Sequence, residues 1–152
     1  MKKFILPVLA SLAVAAPAMA GEARVEARGG VVWDGSNSED FWGMAAGYDF
    51  DLDDKAFLGL EVSGDKIGSS GTKVAFGFTG RAGVKVLEKG KLFVDTGYTT
   101  EPCNGCDGAV HFGGGYQHSI TDNIYVKVAY RRFFYSTASD LNAATAGVGF
   151  KF

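Results

Sequence analysis

The sequence predicts an all-β fold, an eight-stranded antiparallel up-and-down transmembrane β-barrel after a cleaved signal peptide. Three observations lead there: the first twenty residues are laid out as an export leader, the rest alternates apolar and polar residues in eight tracts, and the connections between those tracts are alternately short and long.

The leader begins with the positive charges of Lys2 and Lys3, continues through the apolar run Phe4 to Ala16, and closes on the small residues Ala18-Met19-Ala20, the pattern of a secretory signal cleaved after Ala20. Broken by Pro7 and closed by Pro17, the run falls short of the roughly 20 apolar residues that span a bilayer as a helix. The expected division is therefore residues 1–20 as signal peptide and 21–152 as one barrel domain. Of the 15 basic residues the leader takes two, so 13 face 17 acidic ones and the mature charge is −4. That balance excludes nucleic acid as a partner. Beyond the leader no run of even 15 apolar residues remains, although the chain has 12 Phe and 6 Tyr. Hydrophobicity spread with a period of two rather than gathered in blocks is how a transmembrane barrel is written.

The first tract sets Ala23, Val25, Ala27, Gly29, Val31 and Trp33 against Arg24, Glu26 and Arg28. A polar loop from Asp34 to Asp40 follows, and the second tract sets Trp42, Met44, Ala46, Tyr48 and Phe50 against Gly43, Ala45, Gly47 and Asp49. An acidic turn, Asp51 to Asp54, leads to Leu58, Leu60 and Val62 opposite Phe57, Gly59, Glu61 and Ser63, and Gly64 to Thr72 forms the next loop. The fourth tract is the clearest: Val74, Phe76, Phe78, Gly80, Ala82, Val84 and Val86 alternate with residues 73 to 85, from Lys73 through Arg81 to Lys85. Seven consecutive matches to one template specify a half-apolar strand.

After a tight turn at Glu88-Lys89-Gly90 come Leu92, Val94, Thr96 and Tyr98, with Phe93, Asp95 and Gly97 on the other face; Thr99 to Gly108 is a loop. The sixth tract opposes Val110, Phe112, Gly114 and Tyr116 to His111, Gly113, Gly115 and Gln117. Thr121-Asp122-Asn123 then turns the chain into Ile124, Val126, Val128 and Tyr130 against Tyr125, Lys127, Ala129 and Arg131. A last loop, about Phe134 to Asn142, precedes Ala144, Ala146, Val148, Phe150 and Phe152. Short turns after even strands and longer loops after odd ones are the asymmetry of outer-membrane barrels, whose long loops are external. A soluble sandwich or lipocalin-like barrel also alternates. It does not combine an inner face of glycines and charges with aromatics near strand ends, here Trp33, Trp42, Tyr48, Tyr98, Tyr116 and Tyr130, where membrane interfaces place them.

The final alternating tract ends with Phe150 and Phe152, which looks like the C-terminal signal read by the outer-membrane assembly machinery. With the leader and eight tracts, the mature chain resembles the small outer-membrane barrels of the OmpA/OmpX type. The resemblance is one of architecture. It implies outer-membrane location in a Gram-negative cell, contact with outer-membrane lipid and lipopolysaccharide, and handling by the barrel assembly machinery through the C-terminal strand, with no active site carried over.

The inward parity collects Arg24, Arg28, Lys73, Arg81, Lys85, Lys127, Arg131 and Lys151 with Glu26, Asp49, Glu61, Asp65 and Asp95. Eight strands enclose a space that side chains fill, so the expected interior is a plug of ion pairs; should water pass, the cation surplus favours anions. Cys103 and Cys106 lie in a loop of an exported chain, where a local disulfide is the default. The competing reading, a metal site with Asp107 and His111, lacks a second ligand pair. A thioredoxin-like centre lacks the helix that would lower a thiol pKa. Among nucleophile and base pairs, His118 and Ser119 are adjacent on a strand and so face opposite ways, and His111 would need Ser136 or Asp140 from the last loop. No catalytic residue, metal site or cofactor is therefore expected. The loops carry Phe41, Phe133, Phe134 and Tyr135, read as exposed groups for adhesion or recognition or as interface markers. The leading expectation is a non-enzymatic structural or surface-interaction barrel, a monomer because closure leaves no strand edge. A narrow small-solute channel and a lipid A-modifying enzyme stand as alternatives.

Overall fold

The computed structural model describes residues 21–136 and 139–152; the expected leader, 1–20, lies outside them. Eight strands, β1 (Gly21–Trp33), β2 (Ser38–Asp51), β3 (Ala56–Ile67), β4 (Ala75–Val86), β5 (Gly90–Thr99), β6 (Ala109–Ser119), β7 (Ile124–Phe134) and β8 (Leu141–Lys151), close into one barrel in chain order. Each is antiparallel to its neighbours, and β1 completes the ring by pairing with β8, so Val25 faces Ala46 on one side and Phe150 on the other. Paired backbone bonds of 3.0 Å between Ala23 and Phe152 finish that seam. Every strand thus has two partners, the only way a sheet avoids an unpaired edge.

Several strands run further than their apolar tracts. β2 begins at Ser38, inside the expected first loop; β3 continues to Ile67 rather than ending at Ser63; β8 starts at Leu141 rather than Ala144. Backbone pairing explains the difference: the ladder Phe41↔Ile67 and Trp42↔Lys66 satisfies main-chain groups whatever the side chains are, so the sheet rises past its apolar belt. β4 starts two residues later than expected, leaving Lys73 in the preceding loop. At the opposite end the turns are tight. The Asp53 carboxylate accepts the Lys55 and Ala56 amides at 2.6 and 2.7 Å, and Asp34 caps the first long loop by accepting from Asn37 and Ser36. These amides hold both carboxyls below the usual range.

The two parities separate cleanly. Outward residues such as Leu60, Phe76, Val94, Phe112 and Val128 are exposed, while inward Arg24, Glu26, Asp49, Glu61, Arg81 and Lys127 are buried. This inverts a water-soluble protein. Inside, a bulky group often has glycine for its partner across the rung: Arg24 faces Gly47, Arg81 faces Gly59, Phe57 faces Gly83, Phe93 faces Gly115, Arg131 faces Gly113 and Tyr125 faces Gly149. A Cβ on Gly83 would stand 2.8 Å from two ring atoms of Phe57, which is 1% exposed. Gly83→Val is therefore expected to destabilise the barrel by about 1–3 kcal/mol through overpacking. The lipid-side control is Gly80→Val, where the nearest atom to a Cβ is 3.9 Å away; urea unfolding of both refolded variants checks the difference.

Candidate functional site

Polar groups converge on the inward face of the barrel, and they are built as ion pairs that cross between walls. Glu61, midway along β3, is the hub. It takes Arg24 Nη1 at 2.8 Å and Arg28 Nη1 at 2.9 Å from β1, and Arg131 Nη2 at 3.2 Å and Lys127 Nζ at 3.5 Å from β7. In an eight-membered ring β3 and β7 are diametrically opposed, so these contacts span the lumen.

Asp49 is the second centre. It binds Arg81 in bidentate fashion, with Nε at 2.8 Å, and accepts Lys91 Nζ at 3.0 Å. Lys91 on β5 also reaches Glu22 on β1 at 2.8 Å, a second bond across the full diameter, and Glu22 in turn takes Lys151 at 2.8 Å. Higher up, Arg28 grips Asp65 through Nε at 2.9 Å, and Arg131 grips Asp95 at 2.8 and 3.0 Å. Glu26 joins Lys127 at 2.7 Å and accepts the Tyr125 hydroxyl at 3.0 Å. Some contacts are Coulombic rather than directed: Glu26 Oε1 and Arg24 Nε have close counter-charges but no hydrogen-bond geometry.

Aromatic rings pack the remaining volume. The Arg81 guanidinium lies over Phe57 and Phe93, 5.2 and 5.0 Å from their centroids, a desolvated cation–π stack. At the loop end, Phe133 leans on His111 with centroids 5.4 Å apart, and Phe41 is buried.

Several expected site residues sit elsewhere. Lys73 is outside the barrel, paired with Glu101 of the neighbouring loop. Lys85 lies at the turn-end mouth with Asp51, both about 30% exposed. Phe41 and Phe133 point into the lumen, because the ladder carries the inward parity beyond the apolar belt; Phe134 is exposed. Glu22, Lys91 and Gln117 belong to the interior network; extending the alternation two residues past Arg24 and Phe93 would have found the first two. With these included, the inward cations Arg24, Arg28, Arg81, Lys85, Lys91, Lys127, Arg131 and Lys151 meet the carboxylates Glu22, Glu26, Asp49, Asp51, Glu61, Asp65 and Asp95. The expected cation surplus narrows from three to one, because Glu22 and Asp51 join the carboxylates while Lys91 takes the place of Lys73 among the cations.

Cys103 and Cys106 are joined, with Cα atoms 5.3 Å apart. Their loop is tied to the β3–β4 loop by a bridge between Thr72 and Cys103, by the Lys73 amide donating to Pro102 O at 2.8 Å, and by the Lys73–Glu101 pair. Among the described residues no group of three or more His, Cys, Asp or Glu is placed to hold a metal. His111 lies between the Thr79 and Thr99 hydroxyls, 3.1 and 3.2 Å from its ring nitrogens, while Asp140 accepts from Arg132 at 3.0 Å. The imidazole and that carboxylate are not brought together. His118 is exposed on the outer face and contacts the Tyr116 hydroxyl at 3.2 Å.

No family model and no curated protein sequence matches the chain. Its architecture is nevertheless shared with solved barrels. The N-terminal β-barrel domain of Pseudomonas aeruginosa OprF is 17% identical with a TM-score of 0.62, over 86% of this chain and 97% of that one. Ail, the attachment invasion locus protein of Yersinia pestis, is 12% identical with a TM-score of 0.58, over 87% and 97%. The outer membrane enzyme PagL is 11% identical with a TM-score of 0.58, over 83% and 97%. An attachment protein and an enzyme on one scaffold mean that the likeness carries the fold alone. That fold is the eight-stranded transmembrane barrel.

Proposed function

We propose that this chain is an integral barrel of a Gram-negative outer membrane, with a non-enzymatic structural or surface-interaction role exercised through its loop end. The single observation that carries the reading is the pairing of an exposed apolar outer face with ion pairs bridging opposite walls of the lumen. The first requires a lipid solvent, and the second fills the path along which solutes would move. Outward aromatics at both ends, among them Trp42, Tyr98 and Phe134 at one and Phe150 and Phe152 at the other, suit the two headgroup regions. Lipid and lipopolysaccharide are thus its immediate neighbours. The C-terminal strand, paired with β1 at the seam, is the segment offered to the assembly machinery, and the closed ring favours a monomer.

The loop end is mixed in charge: Asp34, Glu39, Asp40, Glu101, Asp107 and Asp140 outnumber Lys66, Lys73 and Arg132. A surface of that sign suits a cationic partner better than a sulfated or phosphorylated polymer. Among the described residues the ring nitrogens of His111 meet the Thr79 and Thr99 hydroxyls, and His118 Nδ1 meets the Tyr116 hydroxyl, arrangements that suit packing better than general-base catalysis. In the refolded protein, planar-bilayer recording at neutral pH is expected to give no discrete openings, and the gel mobility is expected to shift on boiling. Stable single-channel steps would replace the plug with the narrow-channel reading, and recovery of the native protein from the soluble periplasm would end the proposal.

A further inference from the structure

The turn end of the barrel carries apolar side chains that its chain reversals do not need. Leu52 follows β2 directly, Leu87 follows β4 and Ile120 follows β6, and they are 60%, 91% and 54% exposed. Leu52 and Ile120 extend the outward parity of Phe50 and His118 by one more step. Leu87 does not: alternation would aim it inward after Lys85, but its φ of 56° turns it out of the strand path. Among the described residues it is the one non-glycine with positive φ, a conformation that disfavours a Cβ. A leucine in that geometry, almost wholly exposed, has no compensation from packing within the chain. The tight turn between Val86 and Gly90 sets that φ, and it leaves the leucine's apolar surface facing whatever surrounds the barrel.

We propose that the turn end is seated in the lipid leaflet through Leu52, Leu87, Ile120 and the terminal Phe152, rather than standing clear of it in water; the inference rests on the membrane reading above. The four positions fall at the β2–β3, β4–β5, β6–β7 and β8–β1 junctions, one at every second strand gap around the rim. Such a ring defines a plane. A protein partner would be met by a contiguous patch, whereas here charged or polar tips, Asp53 to Lys55, Glu88 and Lys89, and Thr121 to Asn123, separate the apolar points. Two of these turns also consume their own amide donors. Asp53 accepts from Lys55 and Ala56, and Thr121 Oγ1 accepts from Asn123 and Ile124 at 3.3 and 3.0 Å. Backbone entering a poorly hydrated zone needs that internal satisfaction. Lys55 and Lys89 then lie where lipid phosphates are found.

The test places single cysteines at Leu52, Leu87 and Ile120, at the tip residues Asp54 and Glu88, and at the belt residue Phe76. The native cysteines are engaged with each other and leave a thiol-reactive NBD label to the new site. In vesicles of phosphatidylcholine with phosphatidylglycerol, labels at 52, 87 and 120 are expected to be quenched by lipids spin-labelled near the headgroup and shielded from iodide, with 54 and 88 the reverse. Leu87→Gly relieves the positive φ, yet it is expected to lower the folding equilibrium constant in these vesicles about fivefold because the lipid contact is lost. Iodide quenching at all turn positions, or a Leu87→Gly variant more stable than the parent, overturns the seat while a lipid-quenched Phe76 label leaves the barrel reading intact. Iodide quenching at Phe76 as well removes both.

Discussion

Glu61→Ala is expected to destabilise the barrel by about 3–5 kcal/mol, the cost of stripping the counter-charge from buried cations. The carboxylate answers Arg24, Arg28, Lys127 and Arg131, whose side chains are between 0% and 9% exposed. Without it Arg24 keeps only the more distant Asp49 contact at 3.5 Å, whereas Arg28, Lys127 and Arg131 keep Asp65, Glu26 and Asp95. The lumen's excess of one cation then becomes two, and the four cations around position 61 repel one another. Glu61→Gln retains shape and one acceptor oxygen, so it should fall between the parent and the alanine variant. The comparison is Lys73→Ala, which removes an exposed pair, 40% and 48% accessible, and should cost no more than about 1 kcal/mol. Urea unfolding in a fixed lipid composition measures all three. Equal midpoints for Glu61→Ala and Lys73→Ala would mean that water reaches the network.

Val128→Lys is the second large effect, expected at about 2–4 kcal/mol for a cation at the bilayer midplane. Val128 lies near the middle of β7, flanked by Tyr116 and Ala146, and is 57% exposed in the barrel itself. In water that substitution would be neutral or helpful, so the sign alone separates a lipid-facing surface from a soluble one. Arg132, on the same face four residues toward the loop end, pairs with Asp140 and lies 5.6 Å from the Phe134 ring; its presence there fits the decline of the penalty toward the interface. Refolding yield and urea midpoint in vesicles report the result, and an unchanged midpoint would contradict the orientation of every strand.

Much of this architecture is legible in the sequence because a period of two is a local property. Val74 through Val86 state their own sidedness without reference to any other strand, and the eight tracts with alternating connection lengths then suggest the order. What is not local was not legible. Phe41 and Phe133 look like loop groups in the sequence because apolar patterning stops before they are reached, while main-chain pairing does not. The membership of the lumen network follows from parity, but its pairs do not. Glu61 serves four cations because its height on β3 matches Lys127 and Arg131 on the facing wall, a match set by tilt and register around the whole ring. The narrowing of the interior's cation surplus rests likewise on Glu22 and Asp51, which stand where strand meets turn. Function was least legible, since an interior of satisfied ion pairs stabilises a barrel without naming its task.

The facing of bulky inward groups by glycine on many of the rungs has a consequence for how such chains change over time. Arg81 and Gly59 share one allotment of space, as do Phe57 and Gly83, so the quantity held constant is the content of a rung and not the size of either member. A swap that moves the large residue to the opposite strand keeps the girth, whereas either half of it alone does not. Sequences can therefore rotate their bulk around the circumference while the cross-section stays fixed, which fits the occurrence of this shape in chains only 11–17% identical to this one.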